Sequence, residues 1–235
     1  MMLELILDLI YPPRCIVCND IFEFGTRKFL CDECKNLIAP INSKRCEKCS
    51  RPIEFGNLCS ICARNHEKIF FDKNFSIFIY DDVISDLIHR FKFKNHPAIG
   101  KALSTIIANE INFAIPQKID CIIPVPIHRI RKRERGFNQS EILAKKLAQK
   151  LQISLRTDLL KRIRNTKPQW ALDYHERKRN LIDAFSCKNV SGKNIILFDD
   201  IFTTGTTINE CSKVLKSAGA NYILSLTLAI TSKKL

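Results

Sequence analysis

The sequence predicts an α/β protein, a mainly parallel sheet flanked by helices, with a small cysteine-rich unit at its N-terminus. Three observations carry this reading. From about Asp72 onward, short apolar runs rich in β-branched residues alternate with segments of helical period, the pattern of strands buried on both faces. One of those runs, Asn194 to Asp199, leads through Asp199 and Asp200 into a threonine-glycine turn that opens a helix. And eight cysteines fall in four C-x-x-C pairs within the first 62 residues.

A chain of 235 residues has room for one ordinary domain and a small appendage. It is 46% hydrophobic and 26% charged, a balance that excludes disorder. Met1 to Ile10 is apolar, but it carries Glu4 and Asp8 and lacks a basic n-region. It is also too short to span a bilayer. Met2, Leu5, Ile6 and Leu9 recur at helical spacing, which predicts a short amphipathic helix docked on the body. The expectation is a soluble, cytoplasmic protein without membrane insertion.

The cysteine pairs are Cys15/Cys18, Cys31/Cys34, Cys46/Cys49 and Cys59/Cys62, separated by 12, 11 and 9 residues. A C-x-x-C turn aims two sulfurs at one point, and two such turns complete the tetrahedral thiolate shell that suits zinc. Disulfides would use the same even count, but Cys121, Cys187 and Cys211 lie outside the pairs and no secretory signal precedes them. The region is expected to be a double zinc ribbon holding two structural Zn²⁺ ions, since four thiolates leave no open position for chemistry. Consecutive pairing is the simplest arrangement, and a cross-brace is the alternative. So small a segment needs the metal to fold. The expected boundary puts the ribbons in residues 1–66 and the α/β domain in residues 67–235.

Within that domain, strands are expected over Phe75 to Tyr80, Asp120 to Val125, Asp158 to Ile163, Leu181 to Ser186, Asn194 to Asp199 and Tyr222 to Ile230. Helices are expected over Val83 to Phe93, Ile99 to Phe113, Phe137 to Leu151 and Gly205 to Ala218. In such sheets ligands bind at the C-terminal ends of the strands.

The net charge of +14 is concentrated: residues 127–180 hold 16 Lys and Arg against 5 Asp and Glu, an excess of 11. The ribbons hold 9 against 8, so a polyanion is expected on the second domain.

The segment Ile195-Ile196-Leu197-Phe198-Asp199-Asp200-Ile201-Phe202-Thr203-Thr204-Gly205-Thr206-Thr207 joins a buried strand, two carboxylates and a hydroxyl-rich helix start. Backbone N–H groups, threonine hydroxyls and the positive helix end suit a phosphate, and Gly205 allows close approach. Two acids just before a phosphate cradle call for a polyol or a metal, and a ribose 5-phosphate supplies the first. The segment resembles the motif with which type I phosphoribosyltransferases bind phosphoribosyl pyrophosphate (PRPP). That resemblance implies a type I phosphoribosyltransferase-like sheet, Asp199 and Asp200 on the ribose hydroxyls, and Thr203, Thr204, Gly205, Thr206 and Thr207 around the 5-phosphate, with Mg²⁺ accompanying PRPP.

Pro124-Val125-Pro126-Ile127-His128, the run Arg135-Gly136-Phe137-Asn138-Gln139 and the stretch from Arg164-Asn165-Thr166-Lys167-Pro168-Gln169 through Arg177 to Ala184-Phe185 narrow the likeness. With the cysteine pairs they resemble the ComF family, which serves competence and natural transformation. The family likeness implies that Val125, Pro126, His128 and Arg135 face pyrophosphate, and that Arg164, Gln169 and Arg177 belong to a flexible loop over the reacting centre. Arg131, Lys132 and Arg133 are the candidates for single-stranded DNA, with Phe137, Trp170 and Tyr174 as stacking residues. It further implies a role in DNA uptake beside a helicase or another competence protein. A transferase with an unidentified acceptor is the alternative, because no base-specific pocket shows in the sequence, and no residue is assigned as catalytic. A glutamine-dependent amidophosphoribosyltransferase is set aside, since the first cysteine sits in a metal pair. A PRPP-sensing transcription regulator lacks a helix-turn-helix here.

Overall fold

The computed structural model describes residues 12–23, 25–26, 28–64, 68–93, 97–111, 118–166 and 174–232. The expected N-terminal helix lies outside them. Five parallel strands form the sheet: β1 (Lys73–Ile79), β2 (Cys121–Pro124), β3 (Ser154–Leu155), β6 (Asn194–Phe202) and β7 (Tyr222–Ile230), in the order β1-β7-β6-β2-β3. The central pair is in register from Asn194↔Tyr222 to Phe202↔Ile230. Both strands are buried along nearly their whole length, which is why neither shows polar alternation in sequence.

The two faces of β6 feed two cores. Ile196 and Phe198 join the cluster under α3 (Asp82–Phe93), α4 (Pro97–Glu110) and α6 (Gln139–Leu151). Ile195 and Leu197 join the cluster under α8 (Thr206–Ser217). A separate antiparallel pair, β4 (Leu160–Arg162) with β5 (Phe185–Cys187), stands beside the second cluster.

Within the α/β domain, three elements escaped the periodicity reading. The two-residue β3 is too short to show a period. The helix α5 (Arg129–Arg135) reads RIRKRER, with one apolar residue; its ends form it, with His128 Nδ1 accepting from Ile130 N–H at 3.4 Å and Gly136 stopping it at φ +85°. The helix α7 (Tyr174–Leu181) is also charged. It takes in Leu181, so the strand expected over Leu181 to Ser186 is confined to β5.

The cysteine region contains two short helices, α1 (Asp32–Leu37) and α2 (Ser60–Arg64). Its second half covers the free edge of β1. The Asn74 N–H donates to the Lys48 carbonyl at 2.8 Å, the Asn74 side chain to the Cys49 carbonyl at 2.8 Å, and Arg45 to the Ser76 carbonyl at 2.6 Å. An exposed strand edge would invite pairing with other chains; here the ribbon occupies it. Ile41, Cys46, Cys49 and Cys59 are accordingly part of the α8-side core. Among the described residues no helix is long and apolar enough to cross a membrane.

Candidate functional site

The C-terminal end of β6 brings two carboxylates into the protein interior. Asp199 and Asp200 are 8% and 7% exposed. The Ser140 hydroxyl at the start of α6 donates to Asp199 Oδ1 at 3.0 Å, and the Asp200 N–H donates to the same oxygen at 2.9 Å. Asp200 pairs with Lys92 from the last turn of α3. Burial and the neighbouring Asp200 charge push the Asp199 carboxyl up to about 8. Burial works on Asp200 in the same sense, but the Lys92 ammonium outweighs it and holds that carboxyl below its usual value. The pair therefore stores one negative charge and one proton near neutral pH. Lys92 and Ser140 were not legible as site residues, since nothing local in the sequence ties them to β6.

The turn after β6 opens α8. Gly205 sits at φ +79°, and a Cβ there would lie 2.6 Å from the Phe202 ring. Only glycine fits both the backbone and the space. The Thr204 and Thr206 hydroxyls share a hydrogen bond at 2.8 Å, and Thr204 Oγ1 also caps the Thr206 N–H at 3.4 Å. The hydroxyls and the helix start thus converge on one spot. A cavity between this turn and the second ribbon is lined by Arg51, Lys68, Phe71, Phe202, Thr204 and Thr206, among others.

The expected pyrophosphate residues are placed beside this end of the sheet. The Val125 N–H bonds the Phe198 carbonyl at 2.8 Å, and the Val125 carbonyl accepts from Asn138 at 3.1 Å, so both backbone groups are spent on holding the loop. Pro126 follows it directly at half-exposure. His128 is buried and caps α5. Arg135 reaches Gln139 at 2.5 Å, and burial lowers its affinity for its proton while Asp200 opposes that.

Of the basic run, Arg131 donates to the Thr166 carbonyl at 2.8 Å, Lys132 pairs with Glu141 at 3.1 Å, and Arg133 is exposed. In the expected mobile loop, Arg164 bonds the Ile182 carbonyl. Gln169 and Trp170 lie outside the described residues, as do the side chains of Tyr174 and Arg177. Phe137 packs against Phe91, ring centroids 5.5 Å apart, so it serves the core.

The eight paired cysteines gather into two groups, Cys15/Cys18/Cys31/Cys34 and Cys46/Cys49/Cys59/Cys62, with all sulfurs of a group within 4.8 Å of one another. The pairing is consecutive. Cys18 and Cys31 sulfurs are 3.8 Å apart, and those of Cys49 and Cys59 are 3.6 Å apart. A tetrahedral ion with Zn–S bonds of about 2.3 Å needs sulfurs about 3.8 Å apart, so the donor sets fit zinc. The Cys34 and Cys62 N–H groups each point at a sulfur, of Cys31 and Cys59, at 3.4 Å, which orients those ligands.

The double zinc ribbon domain family matches residues 6–63, and the phosphoribosyl transferase domain family matches residues 91–234. The chain is thus a phosphoribosyl transferase domain protein built onto a double zinc ribbon. Competence protein F of Haemophilus influenzae is 31% identical over 89% of this chain and 93% of its own. Competence protein ComFC of Bacillus subtilis is 30% identical over 85% of this chain and 83% of its own. DNA utilization protein YhgH of Escherichia coli strain K12 is 32% identical over 74% and 79%. The chain belongs to the ComF family of competence proteins.

Proposed function

We propose that this protein binds Mg-PRPP and single-stranded DNA in the cytoplasm and serves DNA uptake and natural transformation. The observation that carries the reading is the buried Asp199/Asp200 pair set directly before the Gly205 turn. Asp199 and Asp200 hold the ribose hydroxyls, and Thr203 to Thr207 take the 5-phosphate with backbone and hydroxyl donors. The segment from Val125 to Arg135 faces the Mg²⁺-bound pyrophosphate. The relatives named for competence and DNA utilization support the pathway. The charge excess of 11 over residues 127–180 supports a polyanion on this domain, and a helicase or another competence protein is the natural partner.

Anisotropy of a labelled single-stranded oligonucleotide, titrated with protein in Mg²⁺ with and without PRPP, tests both halves. Binding at low salt that PRPP alters supports the joint reading. No binding at low salt removes the DNA half.

A second reading, phosphoribosyl transfer to an acceptor, draws on the same carboxylates. Departure of pyrophosphate leaves positive charge at the anomeric carbon, and a positioned carboxylate in a dry site stabilises it. Release of pyrophosphate in an acceptor screen is its test.

A further inference from the structure

We infer that Arg51 is a positioning residue that ties the second four-cysteine site to the threonine turn, so that metal bound there sets the aim of the turn's backbone donors. Only the identity of the ligand as PRPP rests on the function proposed above.

Arg51 is 7% exposed although charged. Its Nε donates to the Thr231 carbonyl at 3.1 Å, its Nη1 to Cys49 Sγ at 3.5 Å, and its Nη2 to the Thr203 carbonyl. The guanidinium also stands 5.7 Å from the centre of the Phe202 ring, the ring that underlies Gly205. Three segments far apart in sequence therefore meet on one side chain.

A buried cation requires a compensating charge. Among the described residues no carboxylate forms an ion pair with Arg51. Four thiolates around one Zn²⁺ carry a net charge of −2, and Cys49 is one of the four. The metal centre is the counter-charge.

The consequence at the turn follows from peptide planarity. A trans peptide points its N–H opposite to its carbonyl. Holding the Thr203 carbonyl towards the ribbon aims the Thr204 N–H away from it, and fixes the peptide between Thr203 and Thr204, one residue before Gly205. Loss of the ion frees Cys49 and removes the anchor on which the guanidinium rests.

The first ribbon provides an internal control. Its knuckle repeats the backbone pattern of the second: Cys15 N–H to the Asp20 carbonyl at 2.9 Å, and Cys46 N–H to the Arg51 carbonyl at 2.8 Å. Asn19 and Ser50 take φ of 68° and 69°. Where the second knuckle has Arg51, the first has Asp20, whose carboxylate accepts from Cys18 at 3.1 Å and from no other side chain among the described residues.

Hydrogen exchange over residues 202–209 of the full zinc-loaded chain is the test, with zinc content measured on every sample. Arg51→Gln is expected to keep both ions and to speed exchange at Thr204 to Thr206 about tenfold, whereas Arg14→Gln in the first knuckle leaves it unchanged. Arg51→Lys, which keeps the charge and loses the fork, is expected to fall between, and it decides the matter if Arg51→Gln does not fold. Wild-type exchange in a zinc-loaded, folded Arg51 variant overturns the inference. Calorimetry with Mg-PRPP adds the ligand: the expected rise in Kd is about tenfold for Arg51→Gln, the loss of one charge-assisted hydrogen bond's ordering. If the wild type itself binds no PRPP, the functional reading fails, and the exchange result still judges Arg51.

Discussion

The two cysteine sites share one grammar and have different occupations. In the first, Cys15 and Cys34 are buried while Cys18 is exposed and Cys31 half-buried; its link to the body runs through Ile16 and Ile38, which join the α3/α4/α6 core. In the second, Cys46, Cys49 and Cys59 are all buried among sheet residues, and the unit covers the β1 edge. The ligand spacing specifies the metal in both. What the metal supports is specified by the residues between and beside the ligands, Asp20 in one knuckle and Arg51 in the other.

The sharpest way to break that comparison is to remove one thiolate from each site. Cys46→Ser is expected to lose one zinc and to cost more than about 4 kcal/mol, because the metal there organises core and sheet edge together; Cys18→Ser loses one zinc at a clearly smaller cost. Metal analysis with chemical denaturation reads both, and equal losses would erase the distinction. A smaller effect is expected at the acids. Asp200→Asn should weaken Mg-PRPP binding by about a hundredfold and lower stability by roughly 2–3 kcal/mol, since Lys92 then lacks its partner. Unchanged affinity in calorimetry would remove Asp200 from the ribose site.

Asp199 gives a pH signature to the α/β domain. Its folded pKa, about 8, lies above the ordinary carboxylate value. Its contribution to stability is therefore fully present below about pH 4 and is lost as pH rises through 8. Asp199→Asn removes this component. Melting curves from pH 5 to 8.5 should show the wild type declining relative to the variant, with Asp200, Lys92, Ser140, Arg162 and Cys211 as the groups facing it. Parallel curves would place the proton elsewhere. The gentlest change is Arg131, Lys132 and Arg133 to alanine together. The slope of log affinity for single-stranded DNA against log salt is expected to fall by about one to two, because Arg131 and Lys132 already have protein partners and Arg133 carries most of the free charge. An unaltered slope would put the polyanion on another face.

Much of this was legible from residue order because the relevant signals are local. A buried apolar run that leads into two acids and a T-T-G-T-T turn announces the position of the strand and of the helix start within thirteen residues. Four C-x-x-C pairs announce their metal in the same way. The helices α5 and α7 were not legible, since nearly every side chain on them is charged or polar and apolar periodicity is the signal such readings use. Leu181 was misassigned to a strand because an apolar residue after a charged run fits either a helix end or a strand start.

Sequence alone determined the metal chemistry, the strand that carries the acids and the glycine at its turn, each by residue types a few positions apart. Only the tertiary structure decided which cysteine pairs combine, which lysine neutralises Asp200, and that Arg51 reaches Thr203 across 152 positions. Those choices depend on how the ribbon and α3 dock against the sheet. Docking is set by burial and by unsatisfied edge groups summed over the whole molecule, a quantity that no short stretch of residues encodes.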